Sequence, residues 1–344
     1  MANPPARYSK PRIFLKGLES STYSLTELRR QRLATLPRVI RKDLRDLESD
    51  KIEKDIISPD NDPFLTHSLH CHFVTLPPGA RDKGHGHQNE AFVYFLEGRG
   101  FDMHDGERYD WQAGDCLAVH NDSVHWHNNL EVDKPAIGII MKAKPTWLFL
   151  GLQQQGPLGT VPPADDDRWG PVVDFPIIRA AEDVVLKKVL KPEDTPWQWT
   201  PHGRVRLLAD PSVPFRIKAV DSHLQEIPAG SRSGKQWQMA DEVFYVLEGR
   251  GYDLHWDVEV EITDRYHARI AKEPSRWEWQ AGDTVYIPHN SIHQHFNANT
   301  SQPAKLISAS NRLYKLIGYS RIEQLENAPE FDSADQKIVA RAGR

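Results

Sequence analysis

A pattern of 29 residues occurs twice in this chain without a gap. Leu76–His104 reads LPPGARDKGHGHQNEAFVYFLEGRGFDMH, and Ile227–His255 reads IPAGSRSGKQWQMADEVFYVLEGRGYDLH. An ungapped repeat of this kind predicts two related domains, and 344 residues are enough to enclose two cores. A second landmark, WQAGD, recurs verbatim at Trp111–Asp115 and Trp279–Asp283. The offset between the copies has by then grown by 17 residues, which places VEVEITDRYHARIAKEP as an insertion in one hairpin of the second copy. The copies also differ chemically. His85 and His87 of the first copy are matched by Gln236 and Gln238 of the second, so a histidine pair present in one copy is replaced by amides in the other.

The texture from about residue 67 is short apolar runs punctuated by Gly, Pro and Asp-Gly turns, such as AFVYFLEG and HDGERY. That pattern predicts an all-β fold of sandwich or barrel type. Residues 1–64 are polar, and Ser24 with Glu27 forms a capping-box signal ahead of LRRQRLATLPRVI, so a helical N-terminal arm is expected. The two repeat-bearing domains are assigned to 65–144 and 215–312. The Pro- and Gly-rich span 145–214 is read as a linker with a short helix in AAEDVVLKKVLKPED, and 313–344 as a C-terminal tail.

The formal net charge is -5, and Lys and Arg are scattered among acids, which argues against a nucleic-acid partner. No run of about 18 apolar residues exists, and MANPPARYSK lacks the apolar core of a signal peptide. A soluble, cytoplasmic protein with no membrane partner is expected. Cys71 and Cys116 form no CxxC pair and are read as reduced thiols.

His85 and His87 lie two apart in a segment expected to be extended, so their side chains share one face. After the predicted strand CLAV, the segment HNDSVHWHNN supplies His125 and His127. In a closed barrel these two segments fall on adjacent strands, where His85, His87 and His125 can meet. Three neutral imidazoles suit Fe, Zn, Cu or Ni and leave coordination positions open. An HxH pair alone is weak; here it combines with an upstream Gly79, the downstream LEGRG and a GD-then-His segment, all within a repeat.

This combination resembles the cupin superfamily, whose two motifs are G(x)5HxH(x)3-4E(x)6G and G(x)5PxG(x)2H(x)3N. Gly79, His85, His87 and Gly98 match the first, while Gly114 and His125 match the second, with His120 and Asp122 at the usual Pro and Gly. The resemblance spans roughly 67–142 and 215–310, so the chain looks like a bicupin. It implies two double-stranded β-helix (jelly-roll) barrels. The usual glutamate is replaced by Ala91, and the neighbouring Glu90 is expected to face the other way. The second copy keeps Glu242 and His293 but has lost both histidines of the pair, so its site is expected to be empty.

A three-histidine site without carboxylate is similar to the gentisate, salicylate and 1-hydroxy-2-naphthoate 1,2-dioxygenase group of bicupins. That resemblance implies one Fe(II) per chain, held in the N-terminal cupin by His85, His87 and His125. It implies a small aromatic hydroxy-acid substrate, chelating the metal beside O2, with the ring opened between the carboxyl- and hydroxyl-bearing carbons. His127 matches a family histidine that exchanges protons at the site. A homotetramer is also implied. Two departures bear on substrate: Val93 stands where the family has a substrate-binding arginine, and Val74 where it has a glutamine. With Ala91 they make the pocket wall more apolar, favouring a nitro-, chloro- or amino-substituted salicylate over gentisate. Further candidates for the substrate pocket are His72, on the predicted inner face with His70, and Arg81 and Lys83, just before the metal pair. Two rival readings remain open. One is another cupin metalloenzyme, a diketone- or quercetin-type oxygenase or a Mn decarboxylase; the other is a non-enzymatic small-molecule-binding cupin.

Overall fold

The structure, a computed structural model, describes residues 37–41, 53–57, 68–152, 154–161, 167–173, 185–319 and 321–331. The helix read from Ser24 and Glu27 lies outside them. The described pieces of 1–64 are strands: Val39–Arg41 pairs with Asp283–Ile287, and Glu53–Ile57 pairs with His70–Leu76. No helix among the described residues is long and apolar enough to cross a membrane.

Each repeat copy forms two antiparallel sheets. In the first, strands Val189–Leu190, Cys116–Val119, Ala91–Glu97, Ala136–Lys142, His70–Leu76 and Glu53–Ile57 make one sheet; Gln155–Pro157, His85–His87, Ser123–Asn129, Arg99–His104 and Glu107–Gln112 make the other. The second copy repeats the scheme with Ala304–Asn311, Val220–Ile227 and Glu242–Glu248 central to one sheet and Arg250–Ile262 and Ser291–Asn297 central to the other. The 17-residue insertion is a hairpin, with Val258 opposite Ile270.

Strand alternation turns one set of side chains into each barrel. Val74, Leu76, Ala91, Val93, Phe95, Trp111, Leu117, Val119, Ala136 and Ile140 form the first core. Phe244, Val246, Trp279, Val285, Ile287, Ala304 and Leu306 form its counterpart. Strands His70–Leu76 and Ala136–Lys142 are buried at every residue because their outer faces are covered as well. Phe73 meets Tyr245 edge-on at 5.4 Å, and Phe92 meets Phe215 at 6.2 Å, so the second copy covers the first.

Glu90 belongs to this junction. Its Oε2 accepts the backbone N–H groups of Lys218 and Ala219 at 2.8 and 2.7 Å. At the matching position of the second copy, Asp241 accepts the Ser68 hydroxyl. Each copy thus uses an outward carboxylate to hold the entry to the other's first core strand. Burial pushes the Glu90 carboxyl up, and the two backbone donors oppose that rise.

The shared LEGRG is explained by packing against the WQAGD tryptophan. A Cβ on Gly100 would collide with the carbonyl of Asn128 and come within 2.5 Å of the Trp111 ring; Gly251 meets Phe296 and Trp279 in the same way. Gly98 and Gly249 have φ of +86° and +95°, which a side chain would strain.

The span read as linker contributes sheet. Leu190 pairs with Cys116, and Gly203–Ala209 pairs with Val220–Ile227, so the second barrel begins well before residue 215. The described part of AAEDVVLKKVLKPED is that short strand plus a 3-10 turn, Pro192–Asp194, while the α-helix of this region lies at Lys144–Phe149. The exposed edge of Cys116–Val119 offers backbone partners that outweigh the helical propensity of the segment. The tail also adds a strand, Ile322–Glu326, alongside Lys235–Gln238.

Candidate metal centre

The strand His85–His87 lies antiparallel to Ser123–Asn129, with His85 directly opposite His125. His85 and His87 point the same way because they are two apart, and the pairing brings His125 onto their face. Ring centroids are 5.3 Å apart for His85–His87, 4.4 Å for His85–His125 and 4.8 Å for His87–His125. One ligand nitrogen from each lies within 4.8 Å of the others, and among the described residues no carboxylate joins the group.

The nitrogens suit a cation. The His125 Nδ1 lies 3.2 Å from the Ser123 carbonyl, which only accepts, so Nδ1 carries the proton and Nε2 keeps a lone pair. Neither ring nitrogen of His87, a residue only 2% exposed, has a hydrogen-bond partner. Burial holds His87 and His125 well below the ordinary histidine range, with nearby positive and imidazole charges acting in the same direction. Neutral imidazoles are the form that binds a metal. An ion here would satisfy donors whose burial is otherwise costly.

Behind the triad sits a buried polar network. Asp102 accepts the Trp111 indole N–H at 2.7 Å on one oxygen, while its other oxygen lies 2.6 Å from His127 Nδ1 and 3.3 Å from His104 Nε2. Burial alone would raise the Asp102 carboxyl, but His127 and His104 hold it down to about 2. His127 is thereby committed through Nδ1, leaving Nε2 as the nitrogen that faces other partners. Its ring centroid is 5.5 Å from that of His125. His120, at the motif's proline position, pairs with Asp105 at 3.1 Å and with Lys188. Asp122, at the motif's glycine position, takes φ +57°, a conformation Asp tolerates better than most residues.

The other sequence candidates separate into two groups. Val74, Ala91 and Val93 are buried members of the first core, the two valines reaching toward Gly138. His72 is buried among them in strand phase, stacked on His70 at 5.0 Å, with neither ring nitrogen hydrogen-bonded. Arg81 and Lys83 are exposed, and the Arg81 guanidinium lies 4.5 Å over Trp126, whose ring faces away from the triad.

Sequence reasoning missed Lys142. It is 6% exposed, shares the inward phase of Ala136 and Ile140, and pairs with His70 across the strands. Its charge, after burial, is the largest influence lowering both His72 and His87. The signal was a lone lysine at the end of the apolar run AIGIIMK, in phase with its inward residues.

In the second copy the metal-pair positions are occupied otherwise. The Gln236 amide donates to Gln324 at 2.8 Å, and the Gln238 amide to Glu242 at 2.9 Å. The network behind is nevertheless duplicated: Asp253 accepts Trp279 Nε1 at 2.7 Å and lies 2.9 Å from His295 Nδ1 and 3.2 Å from His255 Nε2.

Comparison with known proteins agrees with this architecture. The family described as "Cupin domain" matches residues 72–140. No curated protein matches the sequence. Salicylate 1,2-dioxygenase from Pseudaminobacter salicylatoxidans superposes with a TM-score of 0.58 at 15% identity, covering 87% of this chain and 85% of that one. The same enzyme as a gentisate adduct gives a TM-score of 0.58 at 14% identity, covering 88% and 82%. A variant of Bacillus subtilis oxalate decarboxylase gives a TM-score of 0.52 at 15% identity, covering 79% and 74%. The chain therefore matches a cupin domain at 72–140 and has a two-barrel fold similar to that of the salicylate 1,2-dioxygenase.

Proposed function

We propose that the first barrel is the active site of an Fe(II)-dependent dioxygenase that opens a salicylate-like ring between its carboxyl- and hydroxyl-bearing carbons. The observation that carries this reading is the triad His85, His87 and His125, drawn together without any carboxylate ligand. Bound Fe(II) would supply open positions where a hydroxy-carboxylate and dioxygen meet, which three protein ligands leave and a fourth would reduce. That count also separates this reading from a Mn decarboxylase, which normally uses the missing glutamate.

The protein's own groups divide the remaining tasks. Lys142, buried and acting on His87, would pair with the substrate carboxylate where Val93 offers no charge. Val74, Ala91 and Val93 give the ring an apolar wall and exclude water from it. His127, oriented by Asp102 through Nδ1, would exchange the hydroxyl proton.

Anaerobic loading with Fe(II), followed by oxygen-uptake assays on salicylate, its nitro-, chloro- and amino-derivatives, gentisate and hydroxynaphthoate, tests the reading. Iron-dependent uptake with ring-opened product is expected. Turnover with Mn and no oxygen consumption would overturn it. Lys142→Met is expected to raise KM by about 10- to 100-fold, the scale of one charge-assisted hydrogen bond, with metal content unchanged. An unaltered KM would place the carboxylate elsewhere.

A further inference from the structure

We infer that the second barrel holds a divalent transition-metal ion of its own, on His202, His293 and His295 rather than on the positions that match the first barrel's triad. One ligand nitrogen from each of these side chains lies within 4.8 Å of the others, the same limit that the first triad meets. Ring centroids are 5.1 Å apart for His293–His295, 5.5 Å for His202–His295 and 5.9 Å for His202–His293.

The donors are prepared for an ion. His293 is fully buried, and neither of its ring nitrogens has a hydrogen-bond partner. His295 gives its Nδ1–H to Asp253, so its Nε2 is the nitrogen left to coordinate; a carboxylate behind an imidazole is the usual support of a metal-binding histidine. His202 Nδ1 is also unpartnered. The backbone of His202 is pinned, its carbonyl accepting Gln225 Nε2 at 3.1 Å and the Gly234 N–H at 3.0 Å, which fixes the turn that carries the ring. Asp253 lies behind His295, a buried carboxylate on the side of the ring away from its Nε2. An all-imidazole set favours a borderline ion such as Zn(II) over a hard one such as Mg(II).

This site explains why the losses at Gln236 and Gln238 did not leave the second barrel apolar. Those amides are engaged by Gln324 and Glu242, while the hairpin turn between strands Gln198–Thr200 and Gly203–Ala209 supplies the third imidazole.

The site stands independently of the proposed ring cleavage, and metal content tests it directly. The full chain is incubated with Zn(II), dialysed and analysed by plasma mass spectrometry, with thermal unfolding as a check on folding. Two equivalents per chain are expected in the wild type and one in His85→Ala. His202→Gln, in a partly exposed turn, is expected to hold one, and the double variant none. Zn(II) should also raise the melting temperature of His85→Ala but not of the double variant. One equivalent in the wild type with none in His85→Ala, or two retained in a folded His202→Gln, would overturn the proposal. Unchanged content in His85→Ala would instead count against the first site.

Discussion

His85→Ala is expected to remove the first barrel's metal and bring iron-dependent oxygen uptake to background. On the proposed reading the three imidazoles are the ligands among the described residues, and losing one also opens a gap beside His125, whose ring centroid is 4.4 Å away. Disturbing groups merely behind a metal's ligands costs about 10- to 100-fold in affinity, and deleting a ligand costs more. Gln236→Ala is the matched control: its amide bonds Gln324, on the far strand of the second barrel's sheet, so iron content in the first barrel and oxygen uptake should stay at the wild-type level. Iron assayed after gel filtration, with oxygen consumption by electrode, checks both. Iron content and oxygen uptake both unchanged in His85→Ala, or both lowered in Gln236→Ala, would mean that the site had been placed in the wrong barrel.

The second large effect is on stability. Asp102→Ala leaves Trp111 Nε1, His127 Nδ1 and His104 Nε2 facing one another in the dry interior with no acceptor. Removing one member of a buried charged network costs about 3–5 kcal/mol, which denaturant titration would register as a clear fall in midpoint. The same carboxylate gives the fold an acid limit. Its pKa is about 2 in the folded protein against 3.8 for an unperturbed group, so folding favours the ionised form. That contribution is complete above about pH 4 and is lost as pH falls toward 2, amounting to about 2 kcal/mol. Asp102→Asn should flatten the stability curve in this window without removing all of it, since Asp253 is held down in the same way. A curve identical to wild type would show that Asp102 is not ionised in the fold.

Much of the architecture could be read from the chain because its signals are local. The short apolar runs in AFVYFLEG and CLAV, turns at Asp105–Gly106 and Gly114, and the duplicated LEGRG and WQAGD are short-range patterns with short-range causes. The equivalence of Trp111–Asp102 and Trp279–Asp253 shows what the shared landmarks preserve: a tryptophan that packs on a glycine and donates to a buried carboxylate. The segment 185–209 was opaque for the opposite reason. Leu190 and Gly203–Ala209 are strands because of the edges they meet, Cys116 and Val220–Ile227, and no local pattern records those partners.

The candidate sites divide along the same line. His85 and His87 face one way by backbone periodicity alone, so the sequence by itself determined that pair, its spacing from His125, and the loss of both histidines in the second copy. Which cations and imidazoles join them depends on residues far apart in the chain that share only an inward strand phase. Lys142, at the end of a core strand, acts electrostatically on His87, and the rings of His202 and His293 lie 5.9 Å apart across some ninety residues of sequence. Arg81, adjacent in sequence to the metal pair, instead turns outward onto Trp126. Only the tertiary structure decided these, because barrel closure sets which distant strands adjoin and strand alternation then sets which side chains face inward.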